Sequence, residues 1–321
     1  MSDAAVPFVS VVVPTHGRAA LLKRLLDSLL AQDWPRDRYE IIVVHNHTAD
    51  GTEEMVAAMA AASPVPIRYF RAAFNRPGPS RQLGAEQARG SVLAFTDDDC
   101  RATPGWIAAG AAAVGRGLAL VQGQTQPDPD HPRHRLEKTV SVPGPSLFFE
   151  TCNIFYDAAV FRAVGGFPAE FRNLRSGEDT SLGWEMRAAG HATGFASEAL
   201  VYHAVFAVSY WAWLREASIL MSLPLLAKRY PAFRRHAFLG IFFSPLTASF
   251  NAFLLGLLGA GVLSAWCLLA CAPYVAIRFT GETRHRGLHV RLARFLFGLP
   301  RAAAMWGVLL WHSVKARSIL L

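Results

Sequence analysis

The sequence predicts an α/β protein whose mostly parallel sheet is followed by C-terminal membrane helices. Over residues 8–100, apolar runs of strand length alternate with helical segments, which is the pattern of a parallel sheet covered by helices. Three consecutive carboxylates, Asp97 to Asp99, follow the fourth of these runs. Hydrophobic residues make up 52% of the 321 residues and charged residues only 17%, so we expect part of the chain to lie in a membrane.

The strands and helices of the first part follow one another at short spacing. The predicted strands are Phe8–Val13, Tyr39–Val44, Ile67–Phe70, Val92–Phe95 and, further on, Leu147–Phe155; the predicted helices are Ala19–Gln32, a segment ending near Ala62, and Ser80–Ala88. Pro14 is predicted to stop the first strand, and Asp50 can cap the second helix. Ligands of such sheets bind beyond the carboxyl ends of the strands. We therefore expect the acidic triplet and the polar turn 45–52 to lie at the same edge of the sheet.

The acidic triplet is a candidate metal site. Three adjacent carboxylates repel one another unless a cation neutralises them. Mg²⁺ and Mn²⁺ prefer carboxylate oxygen and are usually held by one or two carboxylates plus substrate phosphates. For the triplet alone, the alternative is a solvated acidic turn that caps the helix starting near Pro104.

The charge balance indicates a polyanionic partner. The formal net charge is +8 and the pI is about 9.7, which suits either nucleic acid or an anionic lipid surface. The basic residues crowd around the apolar C-terminal segments, so we expect membrane lipids and no nucleic acid. The four cysteines have neither a paired metal spacing nor a dense disulfide framework, which favours a reducing, cytoplasm-facing catalytic part. Residues 1–7 lack a signal-peptide pattern, so none is expected.

Four short motifs resemble those of the family 2 glycosyltransferases, which have the Rossmann-like GT-A fold. They are Val11–Thr15, Ile42–Asn46 with Asp50–Thr52, the DXD-like Phe95–Asp99, and Gly177–Asp179. The resemblance implies a GT-A domain over residues 1–204. It also implies transfer of a sugar from a nucleotide-sugar donor with inversion at the anomeric carbon, with Mg²⁺ or Mn²⁺. His45–Asn46 stands where the family often has an acidic pair or Asp-Asn, so the nucleobase is left open.

The resemblance assigns roles to individual residues. Asp179 is expected to be the general base that deprotonates the acceptor hydroxyl. Asp97 and Asp99 are expected to hold the metal, with His203 completing the site. The residues expected to bind the donor are Pro14, Thr15, His45, Asn46, Arg76, Arg81, Asp97 and Asp98. Each arginine could equally be an ordinary solvated side chain, His203 a structural histidine, and Asp179 a residue that stabilises a helix N-terminus.

The C-terminal part is predicted to associate with a membrane. Residues 205–236 combine Trp and Tyr with Lys and Arg, as the headgroup layer favours, although an ordinary amphipathic core helix would share that pattern. Phe238–Phe279 has no charged residue before Arg278 and is long enough for two spans, with a turn at Gly256, Gly259 and Gly261. Basic flanks, the second of which includes Arg284 and Arg286, place both ends of this hairpin in the cytoplasm. In 288–310 the basic residues fall close to one helical face, so residues 237–321 are predicted to form a membrane hairpin plus an interfacial helix.

The leading hypothesis is a membrane-anchored, metal-dependent inverting glycosyltransferase of the bacterial type. Its catalytic domain would face the cytoplasm at the inner membrane, and its acceptor would be lipid-linked or otherwise membrane-presented, as in polysaccharide or glycolipid assembly. The alternatives are a polyprenyl-phosphate glycosyl transferase, a nucleotidyltransferase, and a non-catalytic sugar-nucleotide-binding membrane protein. Asp97, Asp99 and Asp179 argue against the last, because a binding module needs no general base.

Overall fold

The structure, a computed structural model, describes residues 6–46, 49–73, 76–171, 173–280 and 287–321. Residues 47 and 48 of the predicted polar turn lie outside the described residues, as do Arg284 and Arg286 of the predicted basic flank. The chain divides into two compact units, Met1–Val208 and Ser209–Leu321. Residues 205–208, grouped above with the amphipathic segment, are part of the first unit.

The first unit is built on an eight-stranded sheet. The strands of this unit are β1 Val9–Thr15, β2 Tyr39–Asn46, β3 Ile67–Ala72, β4 Val92–Thr96, β5 Cys100–Ala102, β6 Leu120–Pro127, β7 Glu137–Lys138, β8 Asn153–Asp157, β9 Thr193–His203 and β10 Phe206–Ala207. Its helices are α1 Ala19–Leu30, α2 Thr52–Ala62, α3 Pro77–Gln87, α4 Trp106–Gly115, α5 Ala158–Ala163 and α6 Glu178–Ala188. Short 3₁₀ helices at Arg36–Arg38 and Ala169–Phe171 complete the described elements.

The order of strands in the main sheet is β3-β2-β1-β4-β8-β6-β9-β5. The pairs β1–β2, β2–β3, β1–β4 and β6–β9 are parallel, whereas β8 runs antiparallel to both β4 and β6, and β5 antiparallel to β9. The predicted α/β class with a mostly parallel sheet is therefore confirmed. The four leucines predicted to face the core from the first helix are all buried: Leu22, Leu25, Leu26 and Leu29.

The first strand was predicted to stop at Pro14, but it does not end there. The strand continues to Thr15, and Pro14 lies opposite Val44 of β2. Pairing with β4 on the other side ends at Val12, so the missing amide of Pro14 falls where β1 has only one neighbour.

Two further local predictions were wrong. The strand predicted to start at Leu147 begins only at Asn153, which lies opposite Thr96, the last residue of β4. The residues before Asn153 have passed the end of that neighbour, and they turn instead. Asp50 is not the cap of α2, because Gly51 takes that position with a φ of 77°; the Asp50 carboxylate accepts from the amide of Thr52 at 3.2 Å.

The second unit is helical. Its helices are α7 Tyr210–Arg215, α8 Leu223–Arg229, α9 Pro231–Arg234, α10 Pro245–Val262, α11 Ala272–Thr280 and α12 Leu288–Ala316, with 3₁₀ helices at Glu216–Ser222 and Ala265–Cys271. Its buried centre comprises Phe250, Tyr274 and Ala302, surrounded by further aromatic residues. The indole of Trp306 donates to Oδ1 of Asn251 at 2.9 Å across this centre.

The helices of the second unit differ from the predicted hairpin in its turn and in its second arm. By length and composition, α10 and α12 are the two described helices that could cross a membrane. The expected second arm is instead divided between the 3₁₀ helix Ala265–Cys271 and the nine residues of α11. The glycines expected to form the turn lie inside α10 instead. There they allow the following segment to pack closely: an added Cβ would lie 2.9 Å from the Cys271 sulfur at Gly256 and 2.9 Å from the Cys267 sulfur at Gly259.

Candidate active site

Thr15 and Asp98, both predicted site residues, meet where β1 and β4 end side by side. The hydroxyl of Thr15 donates to Oδ2 of Asp98 at 2.8 Å, and the amide of His16 donates to the same oxygen at 3.4 Å. Oδ1 of Asp98 accepts from Arg18 at 3.1 Å. Asp98 was predicted to contact the donor, but both of its oxygens are bound within the protein and hold the first loop against β4. Pro14, the other predicted residue here, is buried inside the strand.

Arg18 links two members of the acidic triplet. Its Nη1 atom lies 3.1 Å from Oδ1 of Asp98 and 2.6 Å from Oδ2 of Asp99. Burial and the neighbouring Asp99 charge raise the pKa of Asp98 to about 6. Arg18 was not among the predicted site residues. A signal was available, since three adjacent carboxylates require a nearby cation and Arg18 follows the neighbouring strand.

Asp99 faces His203, as the metal-site prediction requires. Cys100 lies opposite His203 in the antiparallel β5–β9 pair, and this register brings the preceding Asp99 close to the imidazole. Nδ1 of His203 donates to the carbonyl of Ala204 at 2.8 Å, which leaves Nε2 as an acceptor. Nε2 lies 3.3 Å from Oδ1 of Asp99, a buried oxygen with no hydrogen-bond donor among the described residues.

Two acceptor atoms that face each other fit a cation between them. Imidazole nitrogen and carboxylate oxygen are ligands that Mn²⁺ accepts, and a carbonyl bond to the second ring nitrogen commonly orients a metal-binding histidine. Within the described ranges, no group of three or more His, Cys, Asp or Glu side chains is arranged to hold a metal. The residues therefore fit a metal that takes its remaining ligands from a donor phosphate and water.

Arg81 joins Asp97 to the helix that carries Asp179. This arginine of α3 is 5% exposed; its Nη2 atom lies 2.6 Å from Oδ1 of Asp97 and its Nη1 atom 3.0 Å from Oε1 of Glu178. Burial opposes the arginine charge, but the two carboxylates outweigh it and raise the pKa of Arg81. Burial also raises the pKa of Glu178. Glu178 was missed as a site residue, because the sequence gives no indication that it points at Arg81 rather than at solvent.

Arg76 does not accompany Arg81. It lies at the start of α3, is exposed, and lines a cleft of about 200 Å³ together with Phe167, Phe171 and Glu178. Of these two arginines, Arg81 is the one that contacts the acidic triplet among the described residues. Donor binding by either arginine stays a prediction.

His45 is buried in a polar cluster at the end of β2. Its Nδ1 atom lies 2.8 Å from the hydroxyl of Tyr69, and its Nε2 atom lies 3.6 Å from Oδ1 of Asp50. Asp50 therefore places a carboxylate close to His45, which stands where the family often has an acidic residue. In Asn46, the side-chain oxygen accepts from Ser80 at 2.5 Å, so only its NH₂ group is left to donate to a ligand.

The carboxylate of Asp179 is oriented by Thr180. Oδ1 accepts from the amide of Thr180 at 2.7 Å and lies 3.4 Å from the hydroxyl of the same residue. Burial raises the pKa of Asp179, although the Arg81 charge and the hydrogen bond from the Thr180 amide oppose the increase. A raised pKa makes this carboxylate a stronger base than an ordinary aspartate, as a general base requires.

A mostly parallel sheet that presents an acidic triplet beside a buried arginine and an oriented aspartate defines the GT-A class of glycosyltransferases. A family model described as Glycosyl transferase family 2 matches residues 10–172, just over half of the chain. The chain belongs to this family.

Relatives and solved structures agree with this assignment. The chain is 29% identical over 208 residues to Glycosyltransferase AglE of Haloferax volcanii, a match that covers 61% of this chain and 67% of that protein. It is 32% identical over 119 residues to GalNAc(5)-diNAcBac-PP-undecaprenol beta-1,3-glucosyltransferase of Campylobacter jejuni, covering 36% and 38% of the two chains. Matches to two Streptomyces relatives span 52% and 49% of their length. The mannosyltransferase PcManGT from Pyrobaculum calidifontis, solved with GDP-Man and Mn²⁺, has the same fold, with a TM-score of 0.62, 19% identity, and coverage of 98% of this chain and 88% of that one.

Proposed function

We propose that this protein is a metal-dependent, inverting glycosyltransferase that transfers a sugar from a nucleoside diphosphate sugar to a lipid-linked or otherwise membrane-presented acceptor. The observation that carries the proposal is the Asp99–His203 pair, whose facing acceptor atoms lie 3.3 Å apart at the end of β5 and β9. Such a pair suits a metal that also binds the diphosphate of a donor.

The residues around this pair divide the reaction between them. When bound, a divalent metal would offset the negative charge that develops on the leaving diphosphate. Arg81, already charged and held by Asp97, is placed to donate to donor oxygens when this ion pair rearranges. Asp179 takes the proton of the acceptor hydroxyl, and the amide of Thr180 holds its carboxylate in place. Because one aspartate activates an incoming hydroxyl, a direct displacement with inversion is the simplest mechanism.

The membrane-presented acceptor is supported by the second unit and by one relative. Helices α10 and α12 have the length and composition of membrane spans, and they expose large apolar side chains such as Leu258 and Trp311. The name of the Campylobacter jejuni relative specifies an undecaprenol-linked acceptor. We place the first unit on the cytoplasmic side of an inner membrane, where nucleotide sugars are made. A polyprenyl phosphate is the second candidate acceptor, since an ionised phosphate would need less help from Asp179.

A donor screen tests this proposal. Full-length protein in detergent is incubated with a panel of nucleotide sugars and with lipid-linked or free saccharide acceptors, and the released nucleoside diphosphate is measured with and without Mn²⁺. We expect one or a few donors to be consumed, and only when metal and acceptor are present. Asp179→Asn should lose turnover, whereas Asp157→Asn should keep it, because Asp157 only caps α5 by accepting from Val160. Donor turnover that persists without metal would contradict the mechanism, and so would turnover that persists in Asp179→Asn.

A further inference from the structure

Phe149 has a backbone conformation that its side chain disfavours. Its φ is 54°, in the left-handed region that non-glycine residues rarely occupy, and the residue is 1% exposed. Such a conformation persists only where the surrounding contacts enforce it. It lies in the turn Leu147–Cys152, which the sequence pattern predicts to be a strand.

The aromatic ring of Phe149 is seated on one face of α6. Gly183 leaves room for it, because a Cβ at Gly183 would lie 2.2 Å from Cδ2 of the ring. The guanidinium of Arg187, one helical turn further, lies 4.7 Å from the ring centroid. The edge of the ring also packs against Trp184, with centroids 6.5 Å apart.

Hydrogen bonds fix the same turn to the same helix. The hydroxyl of Thr180 donates to the carbonyl of Phe148 at 2.8 Å, and the indole of Trp184 donates to the carbonyl of Leu147 at 3.0 Å. The residues of α6 that hold the turn are therefore at positions 180, 183, 184 and 187, which lie on one face of a helix.

The turn acts back on the start of α6. Thr180, whose hydroxyl donates to the carbonyl of Phe148, also donates its amide to Oδ1 of Asp179 at 2.7 Å. Asp179 lies four residues before Gly183 and eight before Arg187. The middle of α6 therefore holds the turn, and the turn holds the N-terminal end of α6, where the carboxylate lies. Without the left-handed residue, the chain would continue as a strand and the Phe148 carbonyl would move away from Thr180.

We infer that Phe149 is a positioning residue for Asp179: its ring, seated on Gly183 and Arg187, fixes the turn whose Phe148 carbonyl holds Thr180, the residue that donates to the Asp179 carboxylate. This inference rests on the proposed function, in which Asp179 accepts the acceptor proton. Phe149 itself touches neither substrate nor base. Its substitution should therefore lower kcat through misplacement of the carboxylate and leave donor affinity unchanged.

The test compares two buried phenylalanines. Phe149→Leu keeps an apolar side chain in the same backbone position but loses the ring contacts; Phe161→Leu makes the same change at a residue 2% exposed that packs on Phe95 and Phe167. We expect Phe149→Leu to lower kcat by about 10- to 100-fold, the usual effect of a small misplacement of a catalytic group. The Kd of the donor should change less than about threefold, well below the factor of 10 that 1.4 kcal/mol represents. Phe161→Leu should keep kcat.

The same substitutions in an Asp179→Asn background separate positioning from general damage. If Phe149 acts through Asp179, Phe149→Leu should cause no further loss of kcat there, because the group that it positions is absent. Gly183→Ala is a second variant, which displaces the ring from the other side while raising helix propensity. It should reproduce the loss of kcat.

The outcomes distinguish this inference from the proposed function. An equal fall in kcat for Phe149→Leu with and without Asp179 would overturn the positioning role, and so would wild-type kcat in both Phe149→Leu and Gly183→Ala. If Asp179→Asn were fully active, the proposed function would fail first, whatever the Phe149 variants did. A loss in Asp179→Asn with none in the Phe149 and Gly183 variants would leave the general base in place and remove Phe149 from the mechanism.

Discussion

Nε2 of His203 faces Oδ1 of Asp99 at 3.3 Å, although both atoms are acceptors when the imidazole donates through Nδ1 to Ala204. While the imidazole is neutral, this contact between two acceptors stabilises neither side chain. A divalent cation, or a proton on His203, would turn the contact into an attraction. We favour the cation because Arg18 already neutralises the other oxygen of Asp99.

The first prediction concerns this metal pair. Asp99→Asn should abolish Mn²⁺-dependent turnover and weaken donor binding, because Asp99 would help to hold the metal that offsets the charge of the donor diphosphate. In the wild type, EDTA should cause the same loss, and added Mn²⁺ should reverse it. Calorimetric titration of Mn²⁺ in the presence of nucleoside diphosphate measures the site directly. Near wild-type turnover of Asp99→Asn with Mn²⁺ would show that the DXD assignment is wrong.

The second prediction concerns the buried arginine. Arg81→Leu should lower the free energy of unfolding of the first unit by about 3 to 5 kcal/mol, because it leaves Asp97 and Glu178 without their shared cation. Arg71→Leu is the matched control, since it removes an exposed Arg–Glu pair with Glu53 and should leave stability nearly unchanged. Urea denaturation followed by tryptophan fluorescence provides the comparison. Equal effects of the two substitutions would mean that burial does not strengthen the Arg81 contacts.

The sequence was sufficient where short-range pattern decides the structure. Strands β1, β2 and β4 have the apolar, β-branched composition of buried parallel strands, and their carboxyl ends meet as predicted. That rule alone brings Thr15 to Asp98, 83 residues later in the chain.

The sequence was insufficient where a residue's role depends on a distant neighbour. Leu147–Phe155 has strand-like residues throughout, yet it turns at Phe149 because β4 ends opposite Asn153. Arg81 meets Glu178, 97 residues later in the chain, and no local pattern encodes that contact. Glycines inside α10 resemble turn residues in sequence, but they accommodate the packed chain at Cys267 and Cys271.

The third prediction concerns pH. Asp179 must be deprotonated to act as a base, and burial raises its pKa, so kcat/KM should fall with acid at a pH above the ordinary aspartate value of about 3.9. The rate is fully present above the raised pKa and is lost as the pH falls through it. In Asp179→Asn this acid limb should disappear, together with a loss of kcat of about 10² to 10⁴-fold. An unchanged acid limb in Asp179→Asn would assign it to another group.

The fourth prediction concerns membrane topology, and it rests on how the last residue is held. The amide of Leu321 donates to the carbonyl of Ile241 at 2.8 Å, and the carbonyl of Leu321 accepts from the amide of Phe243 at 2.6 Å. The C-terminus and the start of α10 must therefore lie on the same side of a membrane. Ser264, beyond the other end of α10, lies about 27 Å away along a helix of 18 residues, close to the thickness of a bilayer core.

Reporters inserted at Ser264 and Gly287 and fused after Leu321 test this topology. We expect Leu321 and Gly287 on the cytoplasmic side and Ser264 on the far side, with α12 lying in the interface. The guanidinium of Arg301, near the middle of α12, lies 4.2 Å from the ring centroid of Trp213 in the amphipathic α7, where the headgroup layer would stabilise both. Gly287 on the far side would instead mean that α12 spans and carries Arg301 into the bilayer, at a cost of about 2.5 to 3.5 kcal/mol near the centre. Ser264 on the cytoplasmic side would exclude α10 as a span and leave the second unit attached to one leaflet.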